Sequence, residues 1–155
     1  MKLLHSLALS IALLVALWVY LSVGNPGLNF NAWIGFVAWA AHFAAGGGGE
    51  GARKALAAGV AGILLTAATL FGVQALGGGL GSLITLVAVL AFVLVAMADV
   101  ALLAYTPAAF LGAASFFGAG GKLDAGILFV TLSWVAGVIF GFASECFGKR
   151  MARTA

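Results

Sequence analysis

From residue 55 to residue 121 the chain carries a single formal charge, Asp99. A run that long without charges cannot coat a water-soluble core, whose surface normally draws on a sequence about one quarter Asp, Glu, Lys and Arg. Here only 7% of 155 residues are charged and 65% are hydrophobic. A water-soluble enzyme is therefore excluded, and the lipid bilayer is the expected solvent. Cys146 is the only cysteine, so no intrachain disulfide can staple the fold. The net charge of +3 sits at scattered points and forms no basic stripe, so no nucleic-acid partner is expected.

A spanning helix needs about 20 mostly apolar residues. Segments 3–23, 55–76, 82–105 and 125–144 meet that length. Segments 28–45 and 107–119 are shorter, about 27 and 20 Å as helices. The first segment is too long for a signal-peptide core and lacks an A-x-A-like site, so it reads as an uncleaved first helix. The balance of basic residues decides how the short segments are used. If both cross, Lys2, Arg53, Lys54, Lys149, Arg150 and Arg153 share one side, and Lys122 alone lies opposite. If both are re-entrant, the basic residues divide almost evenly. The expectation is thus an all-α membrane protein with six short transmembrane helices, multi-pass, with both termini cytoplasmic.

The chain also resembles itself. Shifted by 74 residues, 33–47 lies over 107–121: Phe36 meets Phe110, Ala40 meets Ala114, Phe43 meets Phe117, and Ala45-Gly46-Gly47 meets Ala119-Gly120-Gly121. Three crossings per half force opposite orientations, so the reading is two inverted three-helix repeats, about 1–76 and 82–150, within one transmembrane domain (1–155). Such repeats with short, Gly- or Pro-interrupted helices mark solute pathways in membrane proteins. Asn25-Pro26-Gly27 and Thr106-Pro107 open the short segments, and Gly46 to Gly49 and Gly118 to Gly121 close them.

Few side chains offer chemistry. Asp99 is costly within a spanning segment; it reads either as a solute- or proton-binding carboxylate or as a salt-bridge partner of Arg53 or Lys54. His42 can change charge near neutral pH and serve as a gate or relay, or stand as a neutral hydrogen-bonded group. Phe36, Phe43, Phe110 and Phe117 recur at a spacing of seven, which puts each pair on one helix face. The two faces either meet as an apolar constriction or pack as ordinary core and lipid-facing surface. Asn29 and Asn31 lie at the expected outer mouth, where solute contact and turn duty both suit them. Thr66, Thr69, Thr131 and Ser133 can each bond back to the preceding turn. No second His or Cys accompanies His42 at ligand spacing, so neither metal nor cofactor is expected. The stretch from Gly46 to Lys54 is not a phosphate loop, because Arg53 precedes Lys54 and Ala55 follows it. Gly137 and Gly141 form a G-x-x-x-G pair suited to close helix contact.

The runs Ala32-Trp33-Ile34-Gly35-Phe36 and Thr106-Pro107-Ala108-Ala109-Phe110-Leu111-Gly112-Ala113 resemble the YcdZ-like family of bacterial inner-membrane proteins. The likeness extends over about residues 28–141. That family is one of unknown function, so the resemblance implies a small polytopic inner-membrane protein and supplies no site residues. The sequence reading is a channel or facilitator for a small neutral or weakly charged solute, built as a homo-oligomer and not an enzyme. The competing reading is a non-transporting structural or accessory subunit.

Overall fold

The computed structural model describes residues 2–153; Met1, Thr154 and Ala155, the ends of the expected 1–155 domain, lie outside the described residues. Six α-helices make up the described chain, with no strand among those residues: α1 (Leu3–Ser22), α2 (Ala32–Ala44), α3 (Gly48–Ala75), α4 (Leu80–Ala96), α5 (Thr106–Gly118) and α6 (Gly126–Arg153). Helices α1, α3 and α6, and α4 with the 3₁₀ turn that follows it, are long and apolar enough to cross a membrane. The protein is therefore membrane-embedded. Helices α2 and α5 have 13 residues each, about 20 Å of rise, so the length criterion supports four of the six expected spans.

Glycine and proline punctuate the chain as their backbone preferences require. Pro107 lies in the first turn of α5, where its missing N–H is no loss. Pro26 does not open α2; it nucleates a 3₁₀ turn, Pro26–Leu28, and α2 begins only at Ala32. Both short helices end in the same motif. Gly46 N–H bonds to Phe43 O at 3.0 Å and Gly47 N–H to His42 O at 3.1 Å; Gly120 bonds to Phe117 O at 2.9 Å and Gly121 to Phe116 O at 3.0 Å. Successive positive φ values follow each helix: 100°, 68° and 62° at Gly46, Gly47 and Gly48, and 92° and 59° at Gly120 and Gly121. That geometry satisfies the last carbonyls and favours glycine.

Contacts between helices fix their directions. Ser10 Oγ donates to Ser144 O at 2.7 Å, and a Cβ on Gly148 would press on Leu7, so α1 and α6 run antiparallel. Helix α2 runs parallel to α6, through Asn31 with Ser133, Gly35 with Gly137 and His42 with Glu145. Helices α3 and α5 cross where Gly59 and Gly62 meet Gly112 and Ala109, and beyond the crossing Gly121 lies beside Leu70, so α5 runs with α3. Gly72, near the end of α3, faces Leu86, near the start of α4, across the turn between them, so successive helices alternate in direction. The start of α1, the end of α2, the start of α3 and the end of α6 gather at one end of the bundle.

Each short helix packs chiefly on the long helix of the other half, α2 on α6 and α5 on α3. The approach is backbone to backbone. A Cβ on Gly112 or Gly62 would overlap the carbonyl of Gly59 or Ala109, and one on Gly137 would overlap Gly35. Without a hydrophobic drive between helices in lipid, such close van der Waals contact is a main source of association. Two fully buried indoles cover these crossings. Trp18 lies over Gly35 and donates to Ala32 O at 2.9 Å; Trp134 lies over Gly59 and donates to Ala55 O at 3.1 Å. Each buries a large ring and leaves no indole N–H unpaired.

Candidate functional site

The end of the bundle where α2, α3 and α6 meet holds a buried polar cluster. The Schellman turn after α2 brings Gly47 and Gly48 against α6, and the carboxylate of Glu145, 7% exposed, fills the corner. Its Oε2 accepts from Gly48 N–H at 2.6 Å and lies 3.0 Å from His42 Nε2. Its Oε1 accepts from Lys149 Nζ, one turn further along α6. A Cβ on Gly47 would come within 2.8 Å of that carboxylate, so glycine is needed here both for φ and for space. Next to it, Trp39 Nε1 donates to Ser144 Oγ at 3.1 Å, and Ser144 Oγ donates to Gly141 O at 2.8 Å. His42 is fully buried, its ring edge-on to Phe43 and Phe142. Its Nδ1 has no hydrogen-bond partner, and Ser115 Oγ is the other buried side-chain atom in that state among the described residues.

The opposite end of α2 borders a cleft of about 190 Å³ lined by Asn29, Asn31, Lys122, Phe116 and Phe129, with parts of the α5–α6 loop. Asn29 adopts a left-handed conformation, φ 53°, after the 3₁₀ turn and donates to Gly27 O at 3.2 Å. Asn31 holds the N-cap position of α2 without a side-chain cap bond, while its backbone N–H reaches Ser133 Oγ at 2.8 Å. One side of α2 therefore carries polar groups at both ends, facing α6, and the Gly35–Gly137 backbone contact lies between them.

Other expected site residues are placed differently. Phe36, Phe43, Phe110 and Phe117 are each between 36% and 42% exposed and lie at the surface. They close no constriction inside the chain, because other residues form the inward faces: Ile34, Trp39 and His42 among small residues on α2, and Phe116 among small residues on α5. Phe110 and Phe117 instead edge a shallow apolar groove between α4 and α5. Asp99 closes the 3₁₀ turn after α4, is exposed, and has no ion pair among the described residues. The expected bridge to Arg53 or Lys54 does not form. Both cations pair with Glu50, at 2.9 and 3.5 Å, because that carboxylate lies three and four residues away on the same helix face. Among the described residues no group of three His, Cys, Asp or Glu is arranged for a metal.

The sequence reading singled out His42 but missed Glu145. Its spacing to Lys149 is that of an ordinary exposed i,i+4 pair, and nothing local shows that Glu145 turns inward. The available signal is that the carboxylate follows an apolar run without interruption.

A family profile described as protein of unknown function (DUF1097) matches residues 8–149. The chain belongs to the DUF1097 family. The match takes in all of α2 to α5 and most of α1 and α6, so both polar ends of α2 lie inside the DUF1097 region. No curated protein and no solved structure matches the chain.

Proposed function

We propose that this DUF1097 protein is a six-span, multi-pass protein of the bacterial inner membrane that passes a small neutral or weakly charged solute by facilitated diffusion. In this reading the halves are inverted repeats and both termini are cytoplasmic. The alternating helix directions, the matched turns after α2 and α5, and the exchange of short helices between halves support it. The observation that carries the transport reading is the polar lining at both ends of one helix: the Asn29, Asn31 and Lys122 cleft outside and the His42–Glu145 cluster inside. Ser133, Trp39 and Ser144 continue that lining along the α2–α6 seam. The Gly35–Gly137 contact is then the closed gate. Paired and neutral polar groups suit an amide, a short protonated carboxylic acid or a similar small molecule. The exposed Phe faces of α2 and α5 are the surfaces by which copies would form a homo-oligomer.

The test is osmotic swelling of vesicles containing the purified protein, followed by light scattering with acetamide, short carboxylic acids and glycerol. Swelling faster than in empty vesicles for at least one solute, slowed by Asn31→Leu, is the expected result. No excess rate for any of them overturns the reading. The alternative, a non-transporting accessory subunit, is favoured by one observation: the glycine contacts bring the helices together backbone to backbone and close the seam in this structure. Absence of flux together with stable co-purification of another membrane protein would select it.

A further inference from the structure

The two ends of the repeat differ in a way that singles out His42. His42 is the eleventh residue of α2, and the eleventh residue of α5 is Phe116; Glu145 is the twentieth residue of α6, and the twentieth of α3 is Ala67. Phe116 and Ala67 both belong to the apolar core. By this count the α2–α6 pair carries a buried ionisable pair where the α5–α3 pair carries two apolar core residues. Packing does not need the pair, and replacing a buried ion pair by apolar residues is often neutral or stabilising. Its retention at one end calls for a ligand.

The hydrogen bonds say which ligand. A carboxylate that takes bonds from the Gly48 amide and the Lys149 ammonium is an acceptor towards His42 as well, so His42 Nε2 donates. In the neutral ring the remaining nitrogen, Nδ1, then carries a lone pair, and it is buried without a partner. None of the clefts described above is lined by His42, and the rings of Phe43 and Phe142 stand edge-on to the imidazole. A proton is the ligand that needs no cavity.

We propose that His42 Nδ1 is a proton-binding site, with Glu145 as the counter-charge of the imidazolium. Uptake adds one proton from water to the nitrogen lone pair and breaks no other bond. The charged and titratable groups around the site come from three helices. Helix α6 supplies Glu145 and, through it, Lys149, with Arg150 following. Helix α3 supplies the Gly48 amide, while Glu50, Arg53 and Lys54 pair with one another at its exposed start. Helix α1 supplies the buried hydroxyls of Ser6 and Ser10, with Lys2 and His5 exposed before them. The site sits at the inner end of the pathway proposed above; its link to solute flux rests on that reading, and its existence does not.

The chain has two histidines, so His5→Gln leaves His42 as the sole imidazole in the full-length protein. With ¹⁵N-histidine in lipid nanodiscs, one imine-type and one amine-type nitrogen are expected at alkaline pH. The imine signal should convert to the protonated type as the pH is lowered. A ring proton on Nδ1 at alkaline pH, or an imine signal that persists to the lowest pH at which the protein stays folded, overturns the site. Vesicle swelling is measured in parallel at varied internal pH, on the wild type and on His42→Gln. Flux that varies with internal pH only in the wild type supports the link. Nitrogen titration without any flux overturns the transport reading and leaves the proton site standing.

Discussion

At the scale of single residues, the corner between α2 and α3 depends on what Gly47 lacks. Gly46 and Gly47 both have positive φ, yet a Cβ on Gly46 meets open space while one on Gly47 meets the Glu145 carboxylate. Gly46→Ala should cost about 1 kcal/mol for the backbone alone. Gly47→Ala should cost about 2–3 kcal/mol, because the carboxylate must also shift from its donors. Thermal unfolding of the purified protein in detergent reads the difference, and equal losses would remove the role assigned to Glu145. The polar pair itself invites a double substitution. Glu145→Ala leaves His42 and the Gly48 amide without their acceptor and should cost about 2 kcal/mol. His42→Phe with Glu145→Ala reproduces the apolar counterpart in the other half and should return stability to within about 1 kcal/mol of the wild type. A double variant no more stable than Glu145→Ala would show that the pair is structural.

At the scale of helices, the glycine contacts separate positions that look alike in the sequence. Gly112→Ala drives a methyl group into the Gly59 backbone, which cannot yield as a flexible side chain would, and should cost about 3 kcal/mol and part α5 from α3. Gly27→Ala, in an exposed turn with open space around it, should stay within about 0.5 kcal/mol. The yield of monodisperse folded protein on size exclusion and the unfolding temperature check both. Much of this level was legible in the sequence. The short helices stop at the expected glycine runs, although Gly48 and Gly49 already open α3 and Gly118 still belongs to α5, and Thr66, Thr69, Thr131 and Ser133 each bond to the carbonyl four residues back, as hydroxyls in apolar helices must. What stayed hidden has physical causes. A spacing of seven fixes a common face for Phe36 and Phe43 but not which side of the helix faces protein, and in lipid an apolar face suits either. In the inverted-repeat reading Gly59 would correspond to Gly137, and that match is masked because Lys122-Leu123-Asp124-Ala125 stand between Gly121 and α6, whereas α3 follows Gly47 directly. A shift of 74 therefore aligns the short helices and misaligns the long ones.

At the scale of the whole molecule, the decisive question is whether α2 and α5 cross the membrane. The contacts favour crossing. If α2 were re-entrant, the start of α3 would lie on the side opposite the chain ends, yet Gly48 is bonded to Glu145 near the end of α6. Thirteen residues span only about 20 Å, so crossing would require the bilayer to thin around these helices, or neighbouring helices to shield their ends, at a modest cost per ångström. Cysteine labelling in vesicles of known orientation tests this. Native Cys146 is exposed near the end of α6. In a Cys146→Ser background, Gly49→Cys, Gly79→Cys and Lys122→Cys place single thiols in three further regions, and Gly49 and Gly79 have open space around them. Six spans require that an impermeant maleimide reach Gly79→Cys and Lys122→Cys from the outer face. Cys146 and Gly49→Cys should then react only from the inner face. If Gly49→Cys were labelled from the outer face while Gly79→Cys was protected, α2 would be re-entrant. The halves would then not be inverted, and the Asn29–Asn31 cleft and the His42–Glu145 cluster could not be the two mouths of one pathway.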